Sequence, residues 1–163
     1  MDTYIYINKK DICCIISEFC KSEYYTYEFS EDYIKLSSEN SCHTFSLEYK
    51  NENWIQPYDM DVDLCLYTDI VGKTDKTILQ NGLDLIFALS NIILKSCNSD
   101  FMLLFEGEDC CIYRKNGFIL VDPVLKNRYG SFLKTDSYFD FKYSLSNVYE
   151  CVIRNNLDLS KLS

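Results

Sequence analysis

The chain has 163 residues, 47% of them apolar or aromatic, and a formal net charge of −9. That is the size of one ordinary domain, with enough apolar content to fill a core. No run of eighteen apolar residues occurs, so a membrane span is not expected. A balance this acidic argues against gripping a nucleic-acid backbone or anionic lipid, both of which need lysine and arginine.

An acidic surface does suit a basic partner, although it also serves solubility alone. The first lysines follow the first apolar run, and the next run, Ile12 to Ile16, is too short for a signal-peptide core. A cytoplasmic protein is expected. Nine cysteines are present, an odd number, with neighbours at Cys13–Cys14 and Cys110–Cys111, no Cys-x-x-Cys and a single histidine, His43. Zinc ligands at standard spacing are therefore not expected. Reduced thiols acting as small buried apolar groups fit better. A redox role or an irregular metal site are the alternatives.

In chain order, Thr3 to Ile7 alternates tyrosine with isoleucine and reads as a strand. Asn8 offers an N-cap, and Ile12, Ile15, Ile16 and Phe19 recur at helical spacing, predicting a helix over 9–21. Tyr24 to Phe29, Tyr33 to Ser37 and Cys42 to Tyr49 alternate and are rich in aromatics, so two or three antiparallel strands are expected. Residues 50–61 form a loop holding the only tryptophan, and Val62 to Asp69 is another strand. Gly72-Lys73-Thr74-Asp75 turns into a long helix over 75–96, apolar around most of its circumference and so largely buried. Gly82 inside it reads as a packing concession. The spacing of Leu145, Val148, Tyr149 and Val152 predicts a third helix over 144–155, capped by Ser144. No repeat or linker divides the chain. The expectation is one α+β domain over 1–163, mainly an antiparallel sheet, with 129–163 a C-terminal extension packed on it.

The stretch "FMLLFEGEDCCIYRKNGFILVD", residues 101–122, reads as a three-strand meander. Asn116-Gly117 is a strong hairpin signal because both residues accept positive φ. A two-residue turn at Gly107-Glu108 sets Phe105 opposite Cys110, Leu103 opposite Ile112 and Phe101 opposite Arg114. The second turn sets Arg114 opposite Ile119 and Ile112 opposite Val121. Both faces are then apolar and at least partly covered. Alternation puts Cys110 and Cys111 on opposite faces. Glu106, Glu108 and Asp109 gather at the exposed tip.

Catalytic chemistry is thin. A cysteine nucleophile needs a base, and His43 sits mid-strand without an oxyanion-type turn beside it. Asp59, Asp61 and Asp63 imitate the opening of a calcium loop, but its glycine and closing glutamate are missing: Leu64 and Ile70 stand there. Gly72-Lys73-Thr74 lacks the upstream glycine of a phosphate loop. No cofactor or metal is expected. Fourteen tyrosines, acidity and the lack of catalytic groups together favour a protein-binding module.

The segment 75–122, through Asp100, Gly107, Glu108, Arg114 and Gly117, resembles bacterial polymorphic-toxin immunity proteins, most of all the immunity partners of swarming-inhibitor toxins. The extension from about Tyr129 departs from that family. The resemblance implies a non-enzymatic protein that binds and neutralises a cognate toxin in the producing cell. Another inhibitor or adaptor of a bacterial or phage conflict system, and a small cysteine-dependent enzyme, are the alternatives. The expected partner contacts are Glu106, Glu108 and Asp109 first, then Asp59 and Asp61. The tyrosine-rich strands between Tyr24 and Tyr49 come next.

Overall fold

The computed structural model describes residues 2–23, 25–39, 41–54, 60–70, 76–105, 109–123, 125, 142–145 and 148, with the backbone alone at 76, 78 and 109–111. The elements run β1 (Asp2–Ile7), α1 (Ile12–Lys21), β2 (Thr26–Phe29), β3 (Tyr33–Ser37), β4 (Cys42–Tyr49), β5 (Leu64–Asp69), α2 (Lys76–Ser96), β6 (Phe101–Phe105), β7 (Asp109–Lys115), β8 (Phe118–Val121) and β9 (Ser144–Leu145). Among the described residues the strands make one sheet in the order β2-β3-β4-β5-β1-β6-β7-β8-β9. Every neighbouring pair is antiparallel except β8 and β9. The α+β class with a mainly antiparallel sheet is as the patterning predicts.

The first strand occupies the middle of the sheet, between β5 and β6. Its alternation explains why. Thr3, Ile5 and Ile7 are fully buried on one face, while Tyr4 and Tyr6 are half-buried on the other. The Ile5 face meets Ile15 and Phe19 of α1 and Leu83, Ile86 and Ile93 of α2 in a single large core. Phe87 of α2 packs edge-on against Phe105 of β6, with ring centroids 6.1 Å apart. On the opposite face a smaller core gathers Met60, Val62, Met102, Leu104, Tyr113, Leu120 and Val148. The meander is thus apolar and covered on both faces, and all five residues of β6 are buried. No helix among the described residues is long and apolar enough to cross a membrane.

Several local expectations need correction. The predicted helix over 9–21 opens as a 3-10 turn, Lys9–Asp11, before α1. Asn8 makes no side-chain cap. Its amide Nδ2 instead donates to the Asp61 carbonyl at 2.8 Å, and the Lys9 N–H donates to Asp63 Oδ1 at 2.6 Å. A carboxylate from a distant segment therefore serves the first turn, which no local pattern could announce.

β5 starts at Leu64 rather than Val62, which belongs to the smaller core. In the meander, Phe101–Arg114, Leu103–Ile112, Arg114–Ile119 and Ile112–Val121 pair as expected, but the register slips between Leu103 and Leu104. Leu104 then faces Cys110 and Phe105 faces Asp109. Cys111 is the extra residue of a bulge, so strict alternation does not hold between Cys110 and Cys111; their thiols lie outside the described side chains. The expected Gly107-Glu108 turn lies outside the described residues. Asn116 (φ 52°) and Gly117 (φ 80°) form the positive-φ turn expected of them.

Ser144 caps no helix: Ser144–Leu145 is a strand paired with β8. Except for Val148, the remainder of the expected third helix lies outside the described residues, as do the 72–75 turn and most of 129–163.

Candidate functional site

Among the described residues the smaller core covers only part of its face. From β2 across to β1 the described residues leave the same face polar and open. Cross-strand registers align its side chains in rows. One row runs Tyr33–Ser46–Tyr67–Tyr4 and the next Glu48–Cys65–Tyr6. Asp2 pairs with Asp69, and Glu28 with Lys35, on that face. Tyr4 and Tyr67 rings lie 5.1 Å apart. The Tyr67 hydroxyl donates to Asp2 Oδ1 at 2.8 Å, and that bond pushes the Tyr67 hydroxyl up to about 12. The Tyr33 hydroxyl donates to Glu28, which likewise raises its pKa. The face therefore presents tyrosine rings braced by the carboxylates they bond, with Lys35 the cation among them.

Where the open face meets the smaller core, a pocket of about 700 Å3 is lined by Tyr6, Glu48, Lys50, Asn53, Trp54 and Cys65 among others. Its wall of Tyr6 and Trp54 is an edge-on pair, with centroids 6.1 Å apart and planes at 74°. The turn that carries Trp54 is tied at three points. Asn51 Oδ1 accepts the Asn53 N–H, the Asn51 carbonyl accepts the Trp54 N–H, and the Lys50 N–H reaches the Asp63 carbonyl. Cys65, 2% exposed, lies between Glu48 and Tyr6. Burial, with help from Glu48, pushes its thiol up to about 12. Tyr6 is raised too, chiefly by burial. Neither group is poised as a nucleophile near neutral pH.

Of the acids expected to touch a partner, Glu106, Glu108 and Asp59 lie outside the described residues, and Asp109 is described in its backbone only. That backbone pairs with Phe105, which adjoins Thr3, at the sheet end where Asp2 and Asp69 meet. Asp61 stands at the other end. It is exposed, and its N–H donates to Asp100 Oδ2 at 2.8 Å, just before Phe101. The length of β6, about 13 Å by the rise of a strand, separates Asp61 from the Asp109 backbone. Periodicity could have found Glu48, because alternation from Phe45 and Leu47 turns it away from the core. It could not have found the row with Cys65 and Tyr6, which exists only through non-local pairing.

Two other polar groupings are structural. His43 points to the helix-covered face, where its Nε2 lies 3.0 Å from the position a β-carbon on Gly82 would take. Cys42, its neighbour in β4, is exposed and turned the other way. Arg114 is 3% exposed. Its Nε donates to the Ser99 carbonyl at 2.7 Å and its Nη1 to the Leu94 carbonyl at 3.0 Å, closing the last turn of α2. Asp11, 5% exposed, accepts from Ser99 Oγ at 3.3 Å. Burial lowers the Arg114 pKa, while Asp11 and Asp100 act against that shift. Among the described residues no group of three or more His, Cys, Asp or Glu is placed to hold a metal ion.

No family model, curated protein or solved structure matches this chain.

Proposed function

We propose that the protein is an immunity-type inhibitor that binds a basic bacterial toxin domain in the cytoplasm of the producing cell and blocks it by occupation rather than by chemistry. The observation that carries this reading is the open half of the sheet face. Tyrosine supplies rigid, amphipathic contact area at low entropic cost. Asp2, Glu28, Glu48 and Asp69 stand on the same face, against Lys35. The Asp109 backbone lies at the sheet end where Asp2 and Asp69 pair, and Asp61 is exposed at the other end of β6. An acidic surface of this kind steers a basic partner and speeds encounter. The resemblance of 75–122 to immunity proteins supports the same reading.

The test is co-expression with the product of the adjacent gene. A stoichiometric complex that suppresses that product's toxicity supports the reading. A toxic, basic product that neither co-purifies with the protein nor is silenced by it refutes it.

A further inference from the structure

The pocket at the seam between the open face and the smaller core has a more specific chemistry than the face around it. Two aromatic rings, Tyr6 and Trp54, stand nearly at right angles on one side. Glu48 stands on the other, one strand beyond Cys65. Two further acids of this face are engaged: Asp2 takes the Tyr67 hydroxyl and Glu28 the Tyr33 hydroxyl. Among the described residues Glu48 takes neither a tyrosine hydroxyl nor an ion pair.

Aromatic faces attract a cation through the ring quadrupole, most strongly at tryptophan. A carboxylate opposite them supplies the counter-charge. A planar guanidinium uses both at once, stacking on a ring while it pairs with the carboxylate through two parallel N–H groups. An ammonium is a compact, strongly hydrated point charge and gains less from stacking. Lys50 also lines the pocket, so the balance of charge there has room for one cation beside Glu48 and not for two. The volume of about 700 Å3 leaves room for the backbone that carries the side chain.

We propose that this pocket receives one arginine side chain of a basic protein partner, its guanidinium set between Trp54, Tyr6 and the Glu48 carboxylate. The inference deepens the proposed function and rests on it for the partner, though the pocket can be tested alone.

Trp54 is the only tryptophan in the chain and so reports on its own pocket. Intrinsic fluorescence of the full-length protein is titrated with the tripeptides Gly-Arg-Gly, Gly-Lys-Gly and Gly-Glu-Gly. The expected result is a saturable change with Gly-Arg-Gly, a weaker one with Gly-Lys-Gly and none with Gly-Glu-Gly. Glu48→Gln should weaken the arginine response by roughly tenfold, the order of one charge-assisted hydrogen bond. Glu18→Gln, an acid of α1 away from that face, should leave it unchanged. The proposal is overturned by no saturable change with Gly-Arg-Gly, by an equal response to Gly-Glu-Gly, or by equal effects of Glu48→Gln and Glu18→Gln. A toxin bound equally by wild type and Glu48→Gln would overturn the pocket and leave the proposed function standing. Tripeptide binding without a toxin complex would do the reverse.

Discussion

Gly82 and His43 show how a single missing carbon can hold two elements at their proper distance. Alanine in a helix interior is favoured over glycine by about 1 kcal/mol. Here a β-carbon would stand 3.0 Å from His43 Nε2 and 3.0 Å from Ile70 Cγ2, and Ile70 is fully buried. Overpacking of that kind costs about 1–3 kcal/mol, so the clash outweighs the propensity gain. Gly82→Ala should therefore lower stability in urea unfolding. The loss should shrink by at least about 0.5 kcal/mol when His43→Ala is also present, the scale of coupling between touching residues. Additive effects would mean that His43 does not limit the approach. The same burial sets a pH dependence. It holds His43 below the ordinary value of 6.5, so the unfolded chain binds that proton more readily than the folded one. The stability carried by neutral His43 is then complete above 6.5 and is lost as pH falls through the lower folded value. Between pH 7.5 and 5.5, roughly one unit either side of the usual histidine value, wild type should lose stability more steeply than His43→Gln. Carboxylates act in both proteins, so parallel slopes would show that His43 does not titrate on folding.

Elements are tied together mainly by contacts that local patterning cannot display. β1 to β8 were legible because two-residue alternation and 3.6-residue spacing follow from geometry within a segment. What lay beyond the segment was not. The strand order, with β1 at the centre, depends on which apolar rows find each other. The cap of the first helical turn comes from Asp63, and the slip at Leu103/Leu104 depends on a bulge that repositions Asp109 against Phe105. Ser144–Leu145 pairs with β8 although its sequence continues a helical spacing. Arg114 is the clearest case. The sequence sets it only opposite Phe101 and Ile119, and it is a buried staple joining β7 to the last turn of α2 beside Asp11. Arg114→Met would leave the Leu94 and Ser99 carbonyls without its guanidinium and the Asp11 carboxylate without its nearby charge. Loss of one member of a buried charged group costs about 3–5 kcal/mol. Urea unfolding should show a loss of that order. A loss below about 1 kcal/mol, typical of an exposed pair, would contradict the role of Arg114 as a staple.

At the scale of the whole molecule the sheet is asymmetric in use. One face is consumed by α1 and α2, and among the described residues the other is covered only around the meander. The acidic net charge hinted at a basic partner, and tyrosine abundance hinted at a contact surface, but composition could not say that the two coincide. They do so because Glu28, Tyr33, Glu48, Tyr67, Tyr4 and Asp2 sit at outward positions on five neighbouring strands. Of the acids picked out in the meander, only the backbone of Asp109 is described, and it pairs with Phe105 at one end of the sheet. If the open face is the docking surface, reversing its charge should slow encounter and loosen the complex together. The deciding measurement is stopped-flow association with the adjacent-gene toxin at two salt concentrations, comparing wild type, Glu28→Lys with Glu48→Lys, and Glu106→Lys with Glu108→Lys and Asp109→Lys. The expected result is the largest loss of rate and affinity for the Glu28 and Glu48 pair, a smaller loss of rate for the tip, and a flatter salt dependence for both. Unchanged binding by the Glu28 and Glu48 pair, with the native fold retained, would contradict docking through the open face.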